Sequence, residues 1–410
     1  MSDQNATQLT YRYERWRALS AGILETASTT FLLLIAVRWF HADSFSKAVI
    51  AGGGAFGLVI SPWIVSAVAN LGWPTSIAAS RLAAVGAGSF VIAAIFPFLP
   101  VFVIACVCGM STSSAMIPLL TQMYQENYPE SERGRRFSRT LMIRIAAAAL
   151  FSQVAGRALT GRIEQFQWLL LIFAAAFASA SICLSRCPTR RLTRTAGTHP
   201  FRALRYVRHD PLFRLTLICW MLMGSGTLMM QPLRVEYLAN PKYKMELTVG
   251  MIALLTGVIP NLARLVLSPV WGWLFDHVNF FILRVTLNLG FALGILSFFT
   301  SDSLNGLIFA AVIFGISNAG GDVAWSLWVT KFAPADRVAD YMSVHTCFTG
   351  IRGIIAPLCA FHLITKISLV SLGWISASLI LTATLLLLPE VKFGRNARRA
   401  TPILAEEVSE

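Results

Sequence analysis

Five ionisable residues lie deep inside long apolar segments of this chain. Glu25 and Asp322 are acidic, and Arg144, Arg264 and Arg352 are basic. A charge at such a depth costs on the order of 2.5–3.5 kcal/mol on insertion scales, so each needs a partner or a function. A carboxyl group can take up and release a proton as a basic partner approaches or withdraws. A permanent ion pair that fixes helix packing would use the same residue types, and the sequence leaves both interpretations open.

Arginine in an apolar segment can also bind an anion. Arg352 lies between Gly350 and Gly353. Its guanidinium is a fork of donors that stays charged, and the flanking glycines allow close approach. We therefore predict that Arg352 holds a carboxylate or phosphate, with a structural pairing as the alternative. Arg144 and Arg264 are further candidates for anion binding.

Polar and aromatic residues share one helix face in the segment that contains Asp322. Asn318, Asp322 and Trp325 recur at i, i+4 and i+7, which places them on one side of a helix. This face predicts the lining of a cavity, and the alternative for Trp325 is an interfacial aromatic belt. Gln231, with Thr227 one turn before it in the seventh apolar segment, is a weaker candidate for the lining of a cavity.

The elements that carry these residues are membrane spans. The chain is 56% hydrophobic and 13% charged, about half the charged share of a typical soluble domain. Apolar runs of about 20 residues, enough to cross a bilayer, recur twelve times. They cover about 17–40, 48–70, 76–99, 101–124, 138–160, 167–185, 215–238, 248–275, 280–300, 305–330, 341–364 and 369–389. We predict an all-α polytopic membrane protein with twelve transmembrane helices.

A basic segment from Arg186 to Arg214 separates six spans from the other six and carries eight arginines. Topology and anionic lipid explain such a polybasic segment, so a nucleic-acid partner is not expected. Its second part, from His199 to Arg214, is either a short amphipathic helix along the headgroups or a solvated loop. The predicted organisation is an N-terminal tail, a six-helix bundle, a basic linker, a second six-helix bundle and a C-terminal tail, over residues 1–16, 17–186, 187–213, 214–390 and 391–410.

Loop charge fixes the expected orientation. Most Lys and Arg residues outside the spans fall on the side of the chain ends. The positive-inside rule then places both termini in the cytoplasm of a multi-pass protein of the inner (plasma) membrane. The seven cysteines lie in or next to apolar spans and lack the spacing of a zinc site or a disulfide framework, so no metal is expected.

The two halves repeat each other weakly. Gly109-Met-Ser-Thr precedes Pro129-Glu-Ser-Glu-Arg133 by about the spacing at which Gly315-Ile-Ser-Asn precedes Pro334-Ala-Asp-Arg337. The second half also contains Gly272-Trp-Leu-Phe-Asp276 at the end of its second span, just before the third. With six plus six spans around a basic linker, the chain resembles the major facilitator superfamily over nearly its whole length. Internal repeats of this kind form a site between two bundles.

The resemblance implies that the first, fourth, seventh and tenth helices line a central cavity. It also implies neighbouring helices for two ion pairs, one in each half: Glu25 with Arg144, and Asp322 with Arg352 or Arg264. The third, sixth, ninth and twelfth spans would lie outside, and apart from the end residues Arg81 and Arg284 they contain no charge. The candidate gating residues are those of the repeated motifs, Gly272, Asp276, Arg337 and Arg133.

The sequence carries no Walker-type loop, no His-Glu-x-x-His and no Gly-x-Ser-x-Gly, so neither an enzyme nor a cofactor is predicted. The first hypothesis is a monomeric secondary active transporter that moves a small polar solute by alternating access, coupled to protons, the solute being anionic if Arg352 binds it. The second is efflux of amphipathic, drug-like compounds. The third is a membrane receptor or assembly factor that transports nothing.

Overall fold

Twelve helical elements cross the molecule, and they correspond to the twelve apolar segments of the sequence. The computed structural model describes residues 3–189, 205–245, 247–328 and 338–393. Within these, eleven helices are long and apolar enough to cross a membrane, and a bent pair, Ser44–Ala51 with Gly53–Val65, makes the twelfth.

The first six elements form the N-terminal bundle. They are α1 (Asp3–Thr26, a π-helical turn Ala27–Phe31, and Leu32–Arg38), α2 (Ser44–Ala51 and Gly53–Leu71), α3 (Thr75–Ile95), α4 (Leu99–Ala115 and Ile117–Asn127), α5 (Glu130–Leu159) and α6 (Phe166–Ser185). The other six form the C-terminal bundle. They are α7 (Pro211–Ala239), α8 (Val249–Ala253, a π-helical turn Leu254–Val258, and Ile259–His277), α9 (Phe280–Phe299), α10 (Leu304–Leu327), α11 (Val338–Leu363) and α12 (Leu369–Phe393).

The two bundles have the same internal packing. In the first, α1 packs on α5 and α6, α2 on α4, and α3 on α4 and α6; in the second, α7 packs on α11 and α12, α8 on α10, and α9 on α10 and α12. The helix pairs thus repeat after a shift of six helices. This is the arrangement that a duplicated six-helix unit predicts.

The bundles meet along two helix pairs lined with small residues. Helix α11 packs on α2, and α5 packs on α8. A Cβ atom at Gly353 would lie 2.6 Å from the Cβ of Ala55, and one at Gly156 would lie 2.5 Å from the Cβ of Ala253. Small residues let helix backbones approach closely in a membrane, where dispersion drives association. These glycines therefore set the distance between the bundles.

The regular helical hydrogen bonding is interrupted at corresponding places in α1 and α8. Each contains a five-residue π-helical turn, Ala27–Phe31 and Leu254–Val258. The hydroxyl groups of Thr30 and Thr256 lie 3.0 Å apart and form a hydrogen bond between the bundles. Such turns occur frequently at functional sites. The ionisable residues described below follow within two turns of helix in α8 and precede the break in α1.

Helix α1 begins at Asp3, well before residue 17, where the sequence predicted the first span to start. The early turns are held against α4 by polar contacts. Thr7 Oγ1 donates to the carbonyl oxygen of Asn127 at 2.6 Å, and the Asn127 amide donates to Thr10 Oγ1 at 2.9 Å. These residues are buried. Hydropathy alone misses these early turns, because the contacts that hold them are polar side chains packed on a neighbouring helix.

The basic linker lies mostly outside the described residues. The predicted amphipathic helix over 199–214 is described only from residue 205, and Arg205–His209 is helical there. Asp210 then caps α7 by accepting a hydrogen bond from the Phe213 backbone N–H at 2.9 Å. The segment therefore ends at a capped helix start, as Asp at an N-cap favours.

Candidate functional site

Four of the five ionisable residues form one network that joins the two bundles. Glu25 Oε2 lies 2.7 Å from Arg144 Nε, and its Oε1 accepts from Arg264 Nη1. Arg264 Nε lies 2.5 Å from Asp322 Oδ2. Both pairs that the sequence offered, Glu25 with Arg144 and Asp322 with Arg264, are present, and the structure adds the bond from Arg264 to Glu25 that joins them. Arg264 bonds both carboxylates at once, so the N-terminal bundle is tied to the C-terminal bundle through a single guanidinium.

Close helix packing brings these groups together. A Cβ atom at Gly22, one turn before Glu25, would overlap the backbone of α5 at Arg144. A Cβ at Gly315, two turns before Asp322, would overlap the backbone of α8 at Pro260. Glycine at both positions therefore permits the short interhelical distances that the ion pairs need.

The network is balanced in charge and only partly shielded. Its two carboxylates face two guanidiniums, and the exposed fractions of the side chains are 9% for Arg264, 16% for Glu25 and 38% for both Arg144 and Asp322. Arg264 is the most buried of the four. A proton added to either acid would leave this guanidinium with one fewer charged partner, so the network can respond to protonation.

A cavity of about 330 Å³ lies beside the network. Sequence-predicted residues on its wall are Glu25, Thr227, Gln231, Arg264, Asn318, Asp322, Trp325 and Arg352; the other lining residues include Trp220, Met223, Arg234, Thr256 and Phe291. Most of the wall belongs to the C-terminal bundle, with α1 contributing Glu25 and Thr29. Arg144 is bonded to Glu25 but does not line this cavity.

Arg352 contacts α7 instead of an acid. Its Nη1 donates to the Trp220 carbonyl oxygen, and a Cβ atom at Gly224 would overlap the guanidinium. The partner of Asp322 is therefore Arg264, and the alternative pairing with Arg352 is wrong. Within the described residues Arg352 has no carboxylate partner, so its charge stays available on the cavity wall.

Sequence reasoning missed Arg234. It lies near the end of the predicted seventh span, 215–238, where a long side chain can often reach water, yet its side chain is 3% exposed and lines the cavity. Its guanidinium carbon lies 4.3 Å from the ring centre of Phe314, and its Nη1 has no hydrogen-bond partner in the described part of the chain. The spacing of residues along the seventh span could have indicated Arg234. The cavity-lining residues of α7 recur at intervals of four and three, a helical face that ends at this arginine: Trp220, Gly224, Thr227, Gln231 and Arg234.

Arg284 is a second buried arginine that hydropathy placed at a span end. It lies in α9, is fully buried, and its guanidinium carbon is 3.5 Å from the ring centre of Trp220. Arg284 is the one charged residue of α9 and lies in its first turns, as the sequence predicted, but it is buried between helices and does not reach water. Stacking on an indole accommodates a guanidinium where no carboxylate is available. Behind it, His345 packs among the rings of Trp220, Trp325 and Trp328.

The face opposite the chain ends is closed by contacts between the bundles. Lys47 Nζ on α2 lies 2.7 Å from Glu236 Oε1 on α7, and both side chains are buried. Nearby, Arg38 Nη2 donates to the Leu247 carbonyl oxygen at 3.1 Å. Burial, reinforced by the charge of Glu236, raises the pKa of Tyr243 in the adjoining loop to about 12. Among the described residues, the basic partner of Glu236 is Lys47, so the acid and the base of this pair come from different bundles.

Three of the four predicted gating residues, Gly272, Asp276 and Arg133, lie at the face of the chain ends. Gly272 and Asp276 are in the last turns of α8, and Arg133 is in the first turns of α5. Arg337 lies outside the described residues, and the side chains of Asp276 and Arg133 are likewise not described. Their gating role stays a prediction. Among the described residues, no group of three or more His, Cys, Asp or Glu side chains could hold a metal ion.

Two six-helix bundles around a charged central cavity define a multi-pass membrane protein of the transporter type. The sequence profile described as Major Facilitator Superfamily matches residues 77–285 and 244–403. The chain therefore belongs to the Major Facilitator Superfamily, whose members carry out secondary transport. No curated protein sequence matches it significantly.

Solved structures share the fold at low sequence identity. A mutant of the nucleoside transporter NupG superposes with a TM-score of 0.76 at 12% identity, covering 93% of this chain and 99% of its own. A POT family transporter in complex with 5-aminolevulinic acid gives 0.71 at 14% identity, with 96% of each chain covered. A D-xylose-proton symporter gives 0.65 at 16% identity, covering 95% of this chain and 98% of its own.

Proposed function

We propose that this chain transports a small polar, anionic solute by alternating access and couples the movement to protons. The observation that carries the proposal is the bridge made by Arg264, which bonds an acid in each bundle beside the cavity. A bond that spans the two bundles must change when they move relative to each other. The protonation state of its acids therefore influences which arrangement of the bundles is favoured.

Glu25 is the proposed coupling acid because it binds a guanidinium from each bundle. Two unit charges 4 Å apart attract by about 4 kcal/mol at an effective dielectric constant of 20. A proton on Glu25 removes most of this attraction to Arg264 and frees α1 from α8, whereas Asp322 stays in the same bundle as Arg264. Glu25 thus controls the tie between the bundles, and Asp322 sets how firmly Arg264 is held on its own side.

The charged wall supports a polar solute. Five charged side chains line the cavity: Glu25, Arg234, Arg264, Asp322 and Arg352. Efflux of amphipathic compounds would favour a wall dominated by aromatic and Met side chains. Among the described residues, this wall has one methionine, Met223, and three aromatic residues, Trp220, Phe291 and Trp325, beside its five charged side chains. A receptor that transports nothing would keep the same ion pairs permanently locked, and transport assays separate it from the other two.

We further propose that the chain ends face the cytoplasm of the plasma membrane, following the distribution of Lys and Arg. The face closed by Lys47 and Glu236 would then be the outer one. In that orientation the described arrangement is closed to the outside. The bundles would separate there, and approach each other at the face of the chain ends, to complete the transport cycle.

The decisive experiment measures solute uptake into proteoliposomes with an imposed pH gradient. We expect Glu25→Gln to abolish accumulation driven by the gradient while retaining exchange of solute down its own gradient, because the neutral amide cannot carry the proton. Asp322→Asn is expected to weaken accumulation less. Glu164→Gln, which neutralises an exposed acid outside the cavity, is the matched control. Full gradient-driven accumulation in both Glu25→Gln and Asp322→Asn would exclude the proposed coupling.

A further inference from the structure

The cavity has an excess of positive charge. Of its five charged lining residues, Glu25, Arg264 and Asp322 belong to the network, which Arg144 brings to charge balance. Arg234 and Arg352 remain, and neither has a carboxylate partner among the described residues. Two guanidiniums without acids are costly next to an apolar wall, and an anion in the cavity would offset that cost.

The guanidinium groups of Arg352, on α11, and Arg234, on α7, contact opposite ends of the cavity-lining face of α7. Arg352 bonds the carbonyl oxygen of Trp220, whereas Arg234 Nε lies 3.4 Å from the carbonyl oxygen of Gln231. Those carbonyl groups are about 16 Å apart along α7 at a rise of 1.5 Å per residue. Since the Arg352 guanidinium reaches along the helix to Gly224, the gap between the guanidiniums is roughly 10–15 Å.

That gap is too long for one carboxylate or one phosphate to bridge. A guanidinium paired with a carboxylate takes up about 4 Å between the two carbon atoms. Two such pairs, one at each end, leave roughly 2–7 Å between the carboxylate carbons. This is the spacing in extended unbranched diacids of about three to six carbons, molecules small enough for a cavity of about 330 Å³.

The wall between the arginines suits the middle of such a molecule. Thr227 and Gln231 provide polar groups along α7, and Met223 and Phe291 provide apolar surface. Arg234 is held against the ring of Phe314, while its Nη1 remains unpaired and buried among the described residues. Its guanidinium is therefore positioned in advance and retains donor capacity.

We propose that the solute is a short dianion with one acidic group at each end, which Arg352 binds at one end of the cavity and Arg234 at the other. This inference rests on the proposed function, since it names the substrate class of the same site. Its new element is Arg234 as the second anchor, which selects diacids over monoacids of equal length.

The test measures binding to the purified full-length protein in detergent, by calorimetry and by the shift in melting temperature. The ligands are unbranched dicarboxylates of three to ten carbons, each compared with its half-amide, which keeps the length and loses one charge. We expect the tightest binding at about three to six carbons, and roughly 10- to 100-fold weaker binding of the half-amide, as for loss of a hydrogen-bonded charge. If the parent protein binds each diacid and its half-amide equally at every length, the proposal is overturned, and no variant protein is needed to reach that result.

The variants assign the ends. Arg234→Gln should remove the preference for the diacid and leave the half-amide bound through Arg352, whereas Arg234→Lys should keep part of the preference. Arg162→Gln, at an exposed arginine outside the cavity, should change neither. An unchanged preference in Arg234→Gln would refute the role of Arg234, and Arg234→Lys covers the case in which the neutral variant fails to fold.

Failure here is separable from failure of the proposed function. Binding is measured without a membrane or a gradient, so preferential diacid binding can stand even if transport is not driven by protons. Conversely, proton-driven accumulation of a singly charged anion, with no diacid preference, would leave the transport proposal intact and exclude this substrate class.

Discussion

Removing the acid of the buried pair Lys47–Glu236 should open the face that it closes. The pair joins α2 to α7, so it exists only while the bundles meet at that face, and both side chains are less than a tenth exposed. Asn240 Nδ2 also donates to Glu236 Oε1 at 2.7 Å. Breaking a buried pair by removing one partner costs about 3–5 kcal/mol. Because the separated arrangement exposes Lys47 to water and does not suffer this loss, Glu236→Gln should move the equilibrium toward it.

The size of the shift can be estimated. If the amide introduced by Glu236→Gln keeps about half of the interaction, roughly 2 kcal/mol remains as the bias, which is about a 30-fold change in the ratio of the two arrangements. The assay is alkylation of a single cysteine, Gln231→Cys on the cavity wall, in a background without the seven native cysteines. A membrane-impermeant maleimide added from the closed side should label it about 30-fold faster in Glu236→Gln than in the parent.

Two controls decide the interpretation. Asp302→Asn neutralises an exposed acid in the loop after α9 and should leave the labelling rate unchanged. The double variant Lys47→Met with Glu236→Gln should label more slowly than Lys47→Met alone, since the single variant leaves a buried carboxylate without its partner. If Glu236→Gln labels no faster than Asp302→Asn, the pair does not hold this face closed.

Three further predictions concern packing and buried charge. Gly22→Ala should lower the melting temperature and weaken the coupling of solute accumulation to the proton gradient. The added Cβ would overlap the backbone at Arg144, at a typical cost of about 1–3 kcal/mol. Gly88→Ala, where a Cβ meets nothing within 4 Å, should have neither effect in parallel thermal and uptake assays. Arg284→Met should keep or raise the melting temperature, since it removes a fully buried charge that has no acid partner in the described residues, and a large destabilisation would show that the stacking on Trp220 outweighs desolvation. The pKa of the Tyr243 hydroxyl is raised from 10.0 to about 12, so the folded state keeps the hydroxyl proton at pH values where the unfolded chain has lost it. The free energy of unfolding should therefore decline between about pH 10 and 12. Tyr243→Phe should lessen that decline in melting curves recorded against pH.

The spans were predictable because hydropathy is a local property. The predicted seventh span, 215–238, lies inside helix Pro211–Ala239, and the predicted ninth, 280–300, nearly coincides with Phe280–Phe299. The bend of α2 at Gly52, 49° between Ser44–Ala51 and Gly53–Val65, falls in the glycine-rich stretch of the sequence. Each of these features depends on a short run of neighbouring residues, which the sequence displays directly.

The candidate site was predictable as a set of residues and not as a set of partners. An acid or arginine in an apolar span stands out by its cost, which is how Glu25, Asp322 and Arg352 were found. Arg234 and Arg284 escaped because each lies near the end of its span, where a long side chain can often reach water. Their burial depends on neighbouring helices, as the rings of Phe314 and Trp220 show.

By itself, the sequence determined that the chain crosses a membrane twelve times in two related halves and that a few charges must lie inside. Only the tertiary structure decided that Arg264 joins Glu25 to Asp322. The bonded residues are 239 and 58 positions away from it in the chain, while a guanidinium bonds only over about 3 Å. Which acid comes within that reach depends on how the helices pack, and glycines such as Gly22 set that packing by letting one backbone lie against another.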